Sequence, residues 1–326
     1  TVVNETFADI KVLGDFKTNE DYMPYFHSLK KNCVTGYTYA SIVGGQTANT
    51  EFELLTGNTL GFLSAGTTAF QLYIHGQMPS LVSNLKAEGY SGNKAMHPFN
   101  PYNYNRPAVY KDFGFTDFID KFDFPKNVKR VREYISDEAN VDRIISEYEK
   151  NRKKTDQPFY MYNMTIQNHS PYDKDAANFK QPIKIESSKY DAEANRYLNL
   201  IKYSDDSLKQ LTGYFEKCKE PTIILFLGDH QPRLTDEFMN KITNGQYQTW
   251  SSEQMMKRYQ VPFVIWANYD IKEQHIEKTS MNYIQSILTK TAGVKMTGYQ
   301  RFLNEVRKEV PTITSQGYWG KNGKFY

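Results

Sequence analysis

The sequence predicts an α/β protein with a mainly parallel central sheet flanked by helices and a small C-terminal subdomain. Short apolar runs alternate with stretches of helical periodicity along the 326 residues, a pattern typical of βα units around a parallel sheet. Hydrophobic residues make up 39% of the chain and charged residues 24%, and this composition excludes a disordered or fibrous protein. The length suffices for one large α/β domain with an appendage.

The elements of this fold follow from the order of the apolar runs. The predicted strands, each ending near polar or glycine residues, are 1–4, 34–39, 159–164, 222–227 and 261–266. The predicted helices are 21–30, 48–55, 79–88, 137–153, 191–217 and 281–289. Residues 93–107 are rich in Asn, Pro and Tyr without clear periodicity, which predicts an ordered functional loop over a site. We expect a main domain over 1–291 and a C-terminal subdomain or tail over 292–326.

Charge and cysteine content narrow the classes of partner. A net charge of +3 is too mild to indicate nucleic-acid binding, although it does not oppose contact with an anionic membrane or a phosphate polymer. The two cysteines, Cys33 and Cys218, lie far apart without a CxxC spacing, so they indicate neither a disulfide framework nor a thiolate metal site. We expect buried thiols, with a single disulfide as the alternative.

The first residues indicate that the chain is part of something longer. Residues 1–4 read as the second half of a buried strand. No apolar run reaches the roughly 18 residues of a membrane-spanning helix, and no signal peptide is visible. Because the strand at residues 1–4 looks incomplete, we expect a larger parent protein.

Two predicted strands end in residues that bind metal ions. Asp229 and His230 follow the apolar run 222–227, and Glu5 follows the first strand. In open α/β sheets ligands gather at the carboxyl ends of strands, where an Asp-His pair offers one oxygen and one nitrogen to a divalent ion. A turn Asp beside a structural His, and a solvated loop Glu, are the alternative readings.

A glycine-rich turn leads into the second predicted helix. Gly44 and Gly45 precede Thr47, and unpaired amides at such a helix entry, with the positive end of the helix dipole, stabilise a phosphate. A hydroxyl at Thr47 would then meet that phosphate. Helix capping by Thr47 or Thr50 is the alternative.

Five motifs in order resemble those of the lipoteichoic acid synthase family, within the alkaline phosphatase and sulfatase superfamily. The resemblance covers most of the chain. The motifs are a Glu after the first strand, Thr-x-x-x-Glu-Phe, His-x6-aromatic-Asn-Arg, Asn-His-x-Pro-Tyr and Gly-Asp-His, found here at Glu5, 47–52, 97–106, 168–172 and 228–230. One departure is Ala48-Asn49, where Ser and Asp often follow the nucleophile in this family, so subfamily substrate preference does not carry over.

The resemblance implies a metal centre and a covalent mechanism. Its ligands would be Glu5, Thr47, Asp229 and His230, with Mn²⁺ as the expected ion and Mg²⁺ or Zn²⁺ as alternatives. Three oxygens and one imidazole suit a fairly hard divalent ion, and coordination lowers the pKa of a hydroxyl group. Thr47 would act as the nucleophile.

The resemblance also implies the residues that hold the substrate. His97, Tyr104, Asn105, Arg106 and His169 correspond to residues around the phosphoglycerol group. Arg106 offers a planar fork for phosphate oxygens, and either histidine is suited to proton transfer. We expect His169 and Arg106 to assist catalysis. Core packing is the alternative for Tyr104, and Asn105 has the alternative of shaping the loop alone.

The expected activity is metal-dependent phosphoglycerol transfer. By resemblance, phosphatidylglycerol is the donor and the acceptor is a cell-wall glycopolymer, either a polysaccharide sugar, as in the subgroup that decorates streptococcal-type polysaccharide, or a lipoteichoic acid chain. The expected setting is the extracellular face of a Gram-positive cell membrane, where an N-terminal transmembrane region absent from this sequence would anchor the protein. We expect a monomeric domain and no nucleic-acid partner. A phosphodiesterase or phosphatase using water is the nearest alternative, and a non-catalytic polymer-binding protein is another. Sulfatase activity is not expected, because formylglycine derives from Cys or Ser and position 47 is Thr.

One basic run lies outside these motifs. Lys126, Lys129, Arg130 and Arg132 form either a face towards anionic lipid or polymer or a solvated surface.

Overall fold

A mixed eight-stranded sheet forms the centre of the protein in a computed structural model that describes residues 1–64, 66–186, 191–245 and 247–326. The strands of the chain are β1 (Val2–Asn4), β2 (Cys33–Tyr39), β3 (Ser91–Met96), β4 (Asp117–Ile119), β5 (Arg130–Val131), β6 (Tyr134–Ile135), β7 (Phe159–Met164), β8 (Ile223–Gly228), β9 (Gln260–Ala267), β10 (Gln274–Ser280), β11 (Thr312–Thr314) and β12 (Gly317–Trp319). The central sheet has the order β10-β2-β9-β8-β1-β7-β3-β4. Within it β9 alone runs antiparallel to its neighbours, so the predicted mainly parallel sheet is confirmed.

Helices cover both faces of this sheet. They are α1 (Pro24–Ser28), α2 (Thr47–Thr56), α3 (Ala69–Leu72), α4 (Leu81–Ala87), α5 (Arg106–Phe113), α6 (Asp137–Arg152), α7 (Ala192–Phe215), α8 (Asp236–Ile242), α9 (Ser252–Met255), α10 (Met281–Thr291) and α11 (Gly298–Glu309). Alternate residues of β8 point to opposite faces, as a strand requires: Phe226 packs in a core with α6 and α7, whereas Leu225 and Leu227 pack in a second core with α2 and α10. All ten residues of α2 are buried.

The register of the sheet places the two motifs predicted to bind metal side by side. Val3 of β1 pairs with Leu227 of β8, and Asn4 pairs with Gly228. Because both strands run in the same direction, the next residues, Glu5 and Asp229, leave the sheet at the same level of its carboxyl edge.

The structure confirms the predicted strands and helices, with shifted ends. The helix predicted over 21–30 is limited to Pro24–Ser28, and the one predicted over 191–217 spans Ala192–Phe215. Three strands of the central sheet were not predicted: β3, β4 and β10. The prediction of a loop over 93–107 is wrong in part, because Ser91–Met96 forms an inner strand of the central sheet and Arg106 begins α5. The polar, glycine-containing sequence of β3 carries no apolar run that would reveal it.

The C-terminal segment packs a helix and a separate two-stranded hairpin against the rest of the fold. Helix α11 contacts α10, and β11 lies against β10 and β2. The hairpin buries Trp319, whose ring lies 5.2 Å from that of Tyr39 in β2. The division of the chain into domains at residues 291 and 292 stays a prediction.

Both cysteines are free thiols, Cys33 buried and Cys218 half-buried, so the single disulfide is excluded. Among the described helices none combines the length and the apolarity needed to cross a membrane.

Candidate active site

Five loops meet at the carboxyl edge of the central sheet. They follow β1, β2, β3, β7 and β8, which all run in the same direction. Together they bring Glu5, Thr47, His97, His169 and His230 to one cavity. The predicted site residues therefore converge from distant parts of the sequence, as expected for an α/β sheet that binds ligands at its carboxyl edge.

Glu5, Asp229 and His230 form a buried group with the composition of a metal site. Each offers one ligand atom, and these atoms lie within 4.8 Å of one another. The Nε2 atom of His230 lies 3.2 Å from Asp229 Oδ2 and 3.7 Å from Glu5 Oε1. Asp229 Oδ2 and His230 Nε2 are buried without a hydrogen-bond partner. Because unpaired buried polar atoms are costly, this arrangement fits a cation held between them.

The surrounding backbone fixes these ligands. Asp229 Oδ1 accepts hydrogen bonds from the amides of Thr6 at 2.6 Å and His230 at 2.8 Å, which leaves Oδ2 for another partner. His230 Nδ1 donates to the carbonyl of Gln231 at 2.9 Å. A carbonyl acceptor requires the proton on Nδ1, so Nε2 carries the lone pair that a metal ion needs. Burial raises the pKa of Asp229 to about 6, while His230 lowers it and Glu5 raises it.

The turn before α2 depends on positive backbone φ angles. Gly44 (φ 70°), Gly45 (φ 149°) and Gln46 (φ 63°) adopt them in succession, and glycine takes such angles without strain. A Cβ on Gly44 would lie 3.0 Å from that of Arg233, so the close approach of the two segments also favours glycine. The turn delivers Thr47 as the first residue of α2.

Thr47 points its hydroxyl at the metal-binding group instead of capping the helix. Its Oγ1 lies 3.5 Å from Glu5 Oε2. The capping position belongs to Gln46, whose side chain makes no capping hydrogen bond. Thr50 donates to the carbonyl of Asp229 at 2.7 Å, which ties α2 to the loop after β8. Neither threonine therefore caps α2.

The cavity above this group encloses about 110 Å³. Its lining residues come from all five loops and include Glu5, Gly44, Gly45, Gln46, Thr47, His97, Phe99, Asn103, Tyr104, Arg106, Ile166, His169, Ser170 and His230. Of the predicted substrate-binding residues, Asn105 is exposed and is not part of this lining. Its φ of 56° and that of Tyr104 (59°) shape the loop, which supports the alternative reading of Asn105.

Arg106 is a buried cation in the wall of the cavity. Its Nε and Nη2 atoms donate to Glu51 Oε1 at 3.1 and 2.7 Å, and Nη1 donates to the carbonyl of Asn103 at 3.4 Å. Burial lowers its pKa, but Glu51 raises it more, so the guanidinium stays charged. Since a guanidinium has five N–H donors, one N–H of Nη1 and one of Nη2 remain for a ligand. Tyr104 stacks on this group, with 5.2 Å between its ring and Cζ.

The two histidines differ in burial. Burial, followed by the charge of Arg106, holds the pKa of His97 well below its usual value, and its Nδ1 donates to the carbonyl of Met164 at 3.0 Å. His97 is therefore a neutral imidazole whose Nε2 accepts hydrogen bonds. His169 is half-buried, and its Nδ1 donates to the carbonyl of Ser170 at 2.6 Å.

Glu51 and Arg132 support the site, although neither was predicted as a site residue. Glu51 holds Arg106 and also accepts from Tyr162 at 3.2 Å and from Tyr110. Arg132 donates to the carbonyls of Gln167, His169 and Pro171 at 2.7–2.8 Å. Arg132 therefore holds the loop of His169 and does not belong to a solvated basic face. The motif that contains Glu51 was the one available signal for its role.

Comparison with known proteins assigns the family. A family model described as "Sulfatase" matches residues 1–294. The chain belongs to the sulfatase family. This confirms the predicted membership of the alkaline phosphatase and sulfatase superfamily. Membership of this family does not by itself assign sulfatase activity to the chain.

A curated relative of this sulfatase-family chain is named a putative cyclic beta-1,2-glucan modification protein, from Rhizobium meliloti strain 1021. The two are 32% identical over 331 residues, which covers 99% of this chain and 50% of the relative. The chain thus spans about half the length of that protein.

Two solved structures share the fold. The Streptococcus pyogenes phosphoglycerol transferase GacH, in complex with sn-glycerol-1-phosphate, superposes with a TM-score of 0.79 at 20% identity, covering 96% of this chain and 79% of GacH. The lipoteichoic acid synthase LtaP from Listeria monocytogenes superposes with a TM-score of 0.70 at 23% identity, covering 91% of this chain and 72% of LtaP. At these identities the likeness shows the fold of this sulfatase-family domain.

Proposed function

We propose that this protein transfers glycerol phosphate from phosphatidylglycerol to a glycopolymer through a covalent intermediate on Thr47. The observation that carries the proposal is the position of the Thr47 hydroxyl, 3.5 Å from Glu5 in the buried group that Glu5 forms with Asp229 and His230. Arg106 and the two histidines line the same cavity. The names of GacH, a phosphoglycerol transferase, and LtaP, a lipoteichoic acid synthase, support this activity.

Glu5, Thr47, Asp229 and His230 would hold the metal ion. Three oxygens and one imidazole suit Mn²⁺, with Mg²⁺ and Zn²⁺ as the alternatives. When bound, the ion lowers the pKa of the Thr47 hydroxyl and offsets charge on the phosphate.

The remaining chemistry is performed by side chains of this chain. Thr47 Oγ1 attacks phosphorus, a P–O bond to Thr47 forms, and the P–O bond to diacylglycerol breaks. The Thr47 proton leaves towards Glu5, and His169 gives a proton to the departing diacylglycerol oxygen. Arg106 binds the phosphate oxygens through the remaining N–H groups of Nη1 and Nη2. Neutral His97 accepts a hydrogen bond from the glycerol.

The second half of the reaction regenerates Thr47. After that transfer His169 takes the proton of an acceptor hydroxyl, which attacks phosphorus and displaces Thr47 Oγ1. The Thr47 oxygen recovers its proton, so the transfer is balanced without a further reactant. A sugar hydroxyl is the acceptor that we favour over a lipoteichoic acid chain, and the name of the Rhizobium relative, a glucan modification protein, supports a saccharide.

The proposed setting is the extracellular face of the cell membrane of a Gram-positive bacterium, where the phosphatidylglycerol headgroup is accessible. The name of LtaP, a lipoteichoic acid synthase, supports this setting. We propose further that a transmembrane region precedes the domain in the whole protein and that the domain is monomeric, without a nucleic-acid partner.

The test uses phosphatidylglycerol with a labelled glycerol headgroup. With Mn²⁺ and no acceptor, the wild-type protein is expected to retain label after denaturation, and Thr47→Ala to retain none. Thr56→Ala is the matched control, since its hydroxyl donates to Phe52 at the other end of α2. Equal labelling of wild type and Thr47→Ala contradicts the covalent mechanism. Label released only as free glycerol phosphate, even with glycan present, favours the phosphodiesterase.

A further inference from the structure

A second cavity lies beside the catalytic one. It encloses about 530 Å³ and is lined by Pro98, Phe99, Lys121, Phe122, Phe124, Pro125, Lys126, Arg130, Glu133, Tyr134 and Ile135. We call this cavity the aromatic groove. Phe99 also lines the catalytic cavity, so the two spaces share one side chain as a wall.

The shared wall connects the groove to the proposed acid-base residue. The Phe99 ring stacks on His169 with 6.3 Å between centroids and lies 5.9 Å from the ring of Tyr134. The Tyr134 hydroxyl lies 3.4 Å from His169 Nδ1. A molecule that contacts Phe99 from the aromatic groove would therefore be separated from His169, the proposed acid-base residue, by the Phe99 ring.

The groove presents apolar ring faces that are not covered by the fold. Phe122 is 73% exposed, although burying a phenylalanine is favourable. Lys121 Nζ lies 5.0 Å from the ring centre of Phe122 and 5.8 Å from that of Phe99, so the lysine holds two rings at the same opening. An exposed apolar patch in a groove marks a binding surface more often than a single exposed residue does.

Charged groups of both signs surround these rings. Lys126, Arg130 and Glu133 are exposed and line the groove. Two members of the basic run are committed elsewhere: Lys129 pairs with Glu138, and Arg132 holds the loop of His169. The run is thus divided, and Lys126 and Arg130 are the members that line the groove.

We propose that the aromatic groove binds a saccharide unit of the acceptor glycopolymer, adjacent to the sugar whose hydroxyl receives the glycerol phosphate. This inference rests on the proposed transferase function. Sugar rings place C–H groups against aromatic faces and need both donors and acceptors for their hydroxyls, which Lys126 and Glu133 supply. A lipid phosphate needs donors alone and leaves the Glu133 acceptor unused.

The test measures transfer from a water-soluble, short-chain phosphatidylglycerol to two polymers, cyclic β-1,2-glucan and polyglycerolphosphate. Phe122→Ala is expected to raise the KM for the glucan about 5-fold, since an aromatic contact contributes about 1 kcal/mol. The rate of donor cleavage without acceptor, measured as diacylglycerol release, is expected to stay within about twofold of the wild-type rate. Phe62→Ala is the matched control, because Phe62 is 81% exposed and lies outside the groove. Lys126→Glu is a second variant, with Lys86→Glu as its control.

Each remaining outcome has one meaning. An unchanged glucan KM in both groove variants overturns the inference, as does a raised KM for polyglycerolphosphate alone. Effects seen only with phosphatidylglycerol in vesicles, and not with the soluble donor, also overturn it and assign the groove to a membrane surface. Absence of transfer from wild type to either polymer, with donor cleavage intact, refutes the proposed transferase function itself.

Discussion

Arg106 and Glu51 form a buried ion pair in which Nε and Nη2 of the arginine donate to one carboxylate oxygen, at 3.1 and 2.7 Å. Both side chains are almost completely buried, so neither charge is satisfied by water. The pair fixes which edge of the guanidinium faces the cavity. We infer that Glu51 is a positioning residue for the phosphate-binding function of Arg106.

Replacing Glu51 with Gln is expected to lower kcat/KM about 10- to 100-fold and to destabilise the fold, because a buried charge loses its partner. The double variant Glu51→Gln, Arg106→Gln removes both charges. It should regain most of the lost stability in thermal denaturation without regaining activity. Recovery of activity together with stability would show that the pair has only a structural role.

Metal binding is expected to stabilise the fold. Adding Mn²⁺ at about 100 times its Kd should contribute about 2.7 kcal/mol to the free energy of unfolding, measured as a rise in Tm. Asp229→Asn should lose this rise, since it removes a charged oxygen from the buried group. Asp156→Asn is the control, because its side chain is 99% exposed. The same rise in Asp229→Asn as in the wild type would exclude Asp229 as a ligand.

Arg132 is expected to act through the loop of His169. Arg132→Ala removes three hydrogen bonds to backbone carbonyls and should lower kcat about 10-fold or more, since a misplaced catalytic group reacts slowly. Arg132→Lys should recover part of this loss. Lys129→Ala, at the exposed pair with Glu138, serves as the control. If the rate of Thr47 labelling fell as much in Lys129→Ala as in Arg132→Ala, a specific role for Arg132 would be contradicted.

His27 makes stability depend on pH outside the active site. Asp9, 3.8 Å from its Nε2, and Asp21, 2.8 Å from its Nδ1, raise the pKa of His27 to about 9, and partial burial opposes this. Burial raises the pKa of Asp9, whereas His27 and the hydrogen bond from Tyr22 lower it, with a net fall. The facing groups include Tyr22 and Tyr37, which both donate to Asp9.

The folded pKa of His27 exceeds the unfolded value of about 6.5. Protonated His27 therefore stabilises the fold fully below about pH 6.5, and this contribution is lost as the pH rises through about 9. The Tm of His27→Gln should fall less than that of the wild type between these two values. Parallel Tm profiles for the two proteins would refute this assignment.

The sequence predicted elements best where a continuous apolar run marks a strand buried on both faces, as in Phe159–Met164 and Ile223–Gly228. It failed for Ser91–Met96, whose residues are mostly small or polar, and for Gln274–Ser280, the edge strand. An edge or polar strand gains its stability from its neighbours, so its own residues carry a weak signal. This is why the loop predicted over 93–107 wrongly included the second half of β3.

The sequence by itself determined the chemical types at the site and their order along the chain: carboxylates and imidazoles after apolar strands, and a hydroxyl after glycines. The tertiary structure alone decided which of these groups share a buried volume, because Glu5 and Asp229 approach only through the parallel register of β1 and β8. It also decided the partners of Arg106 and Arg132. A buried charge must find its counter-charge or carbonyl in space, and local sequence patterns do not encode that distance.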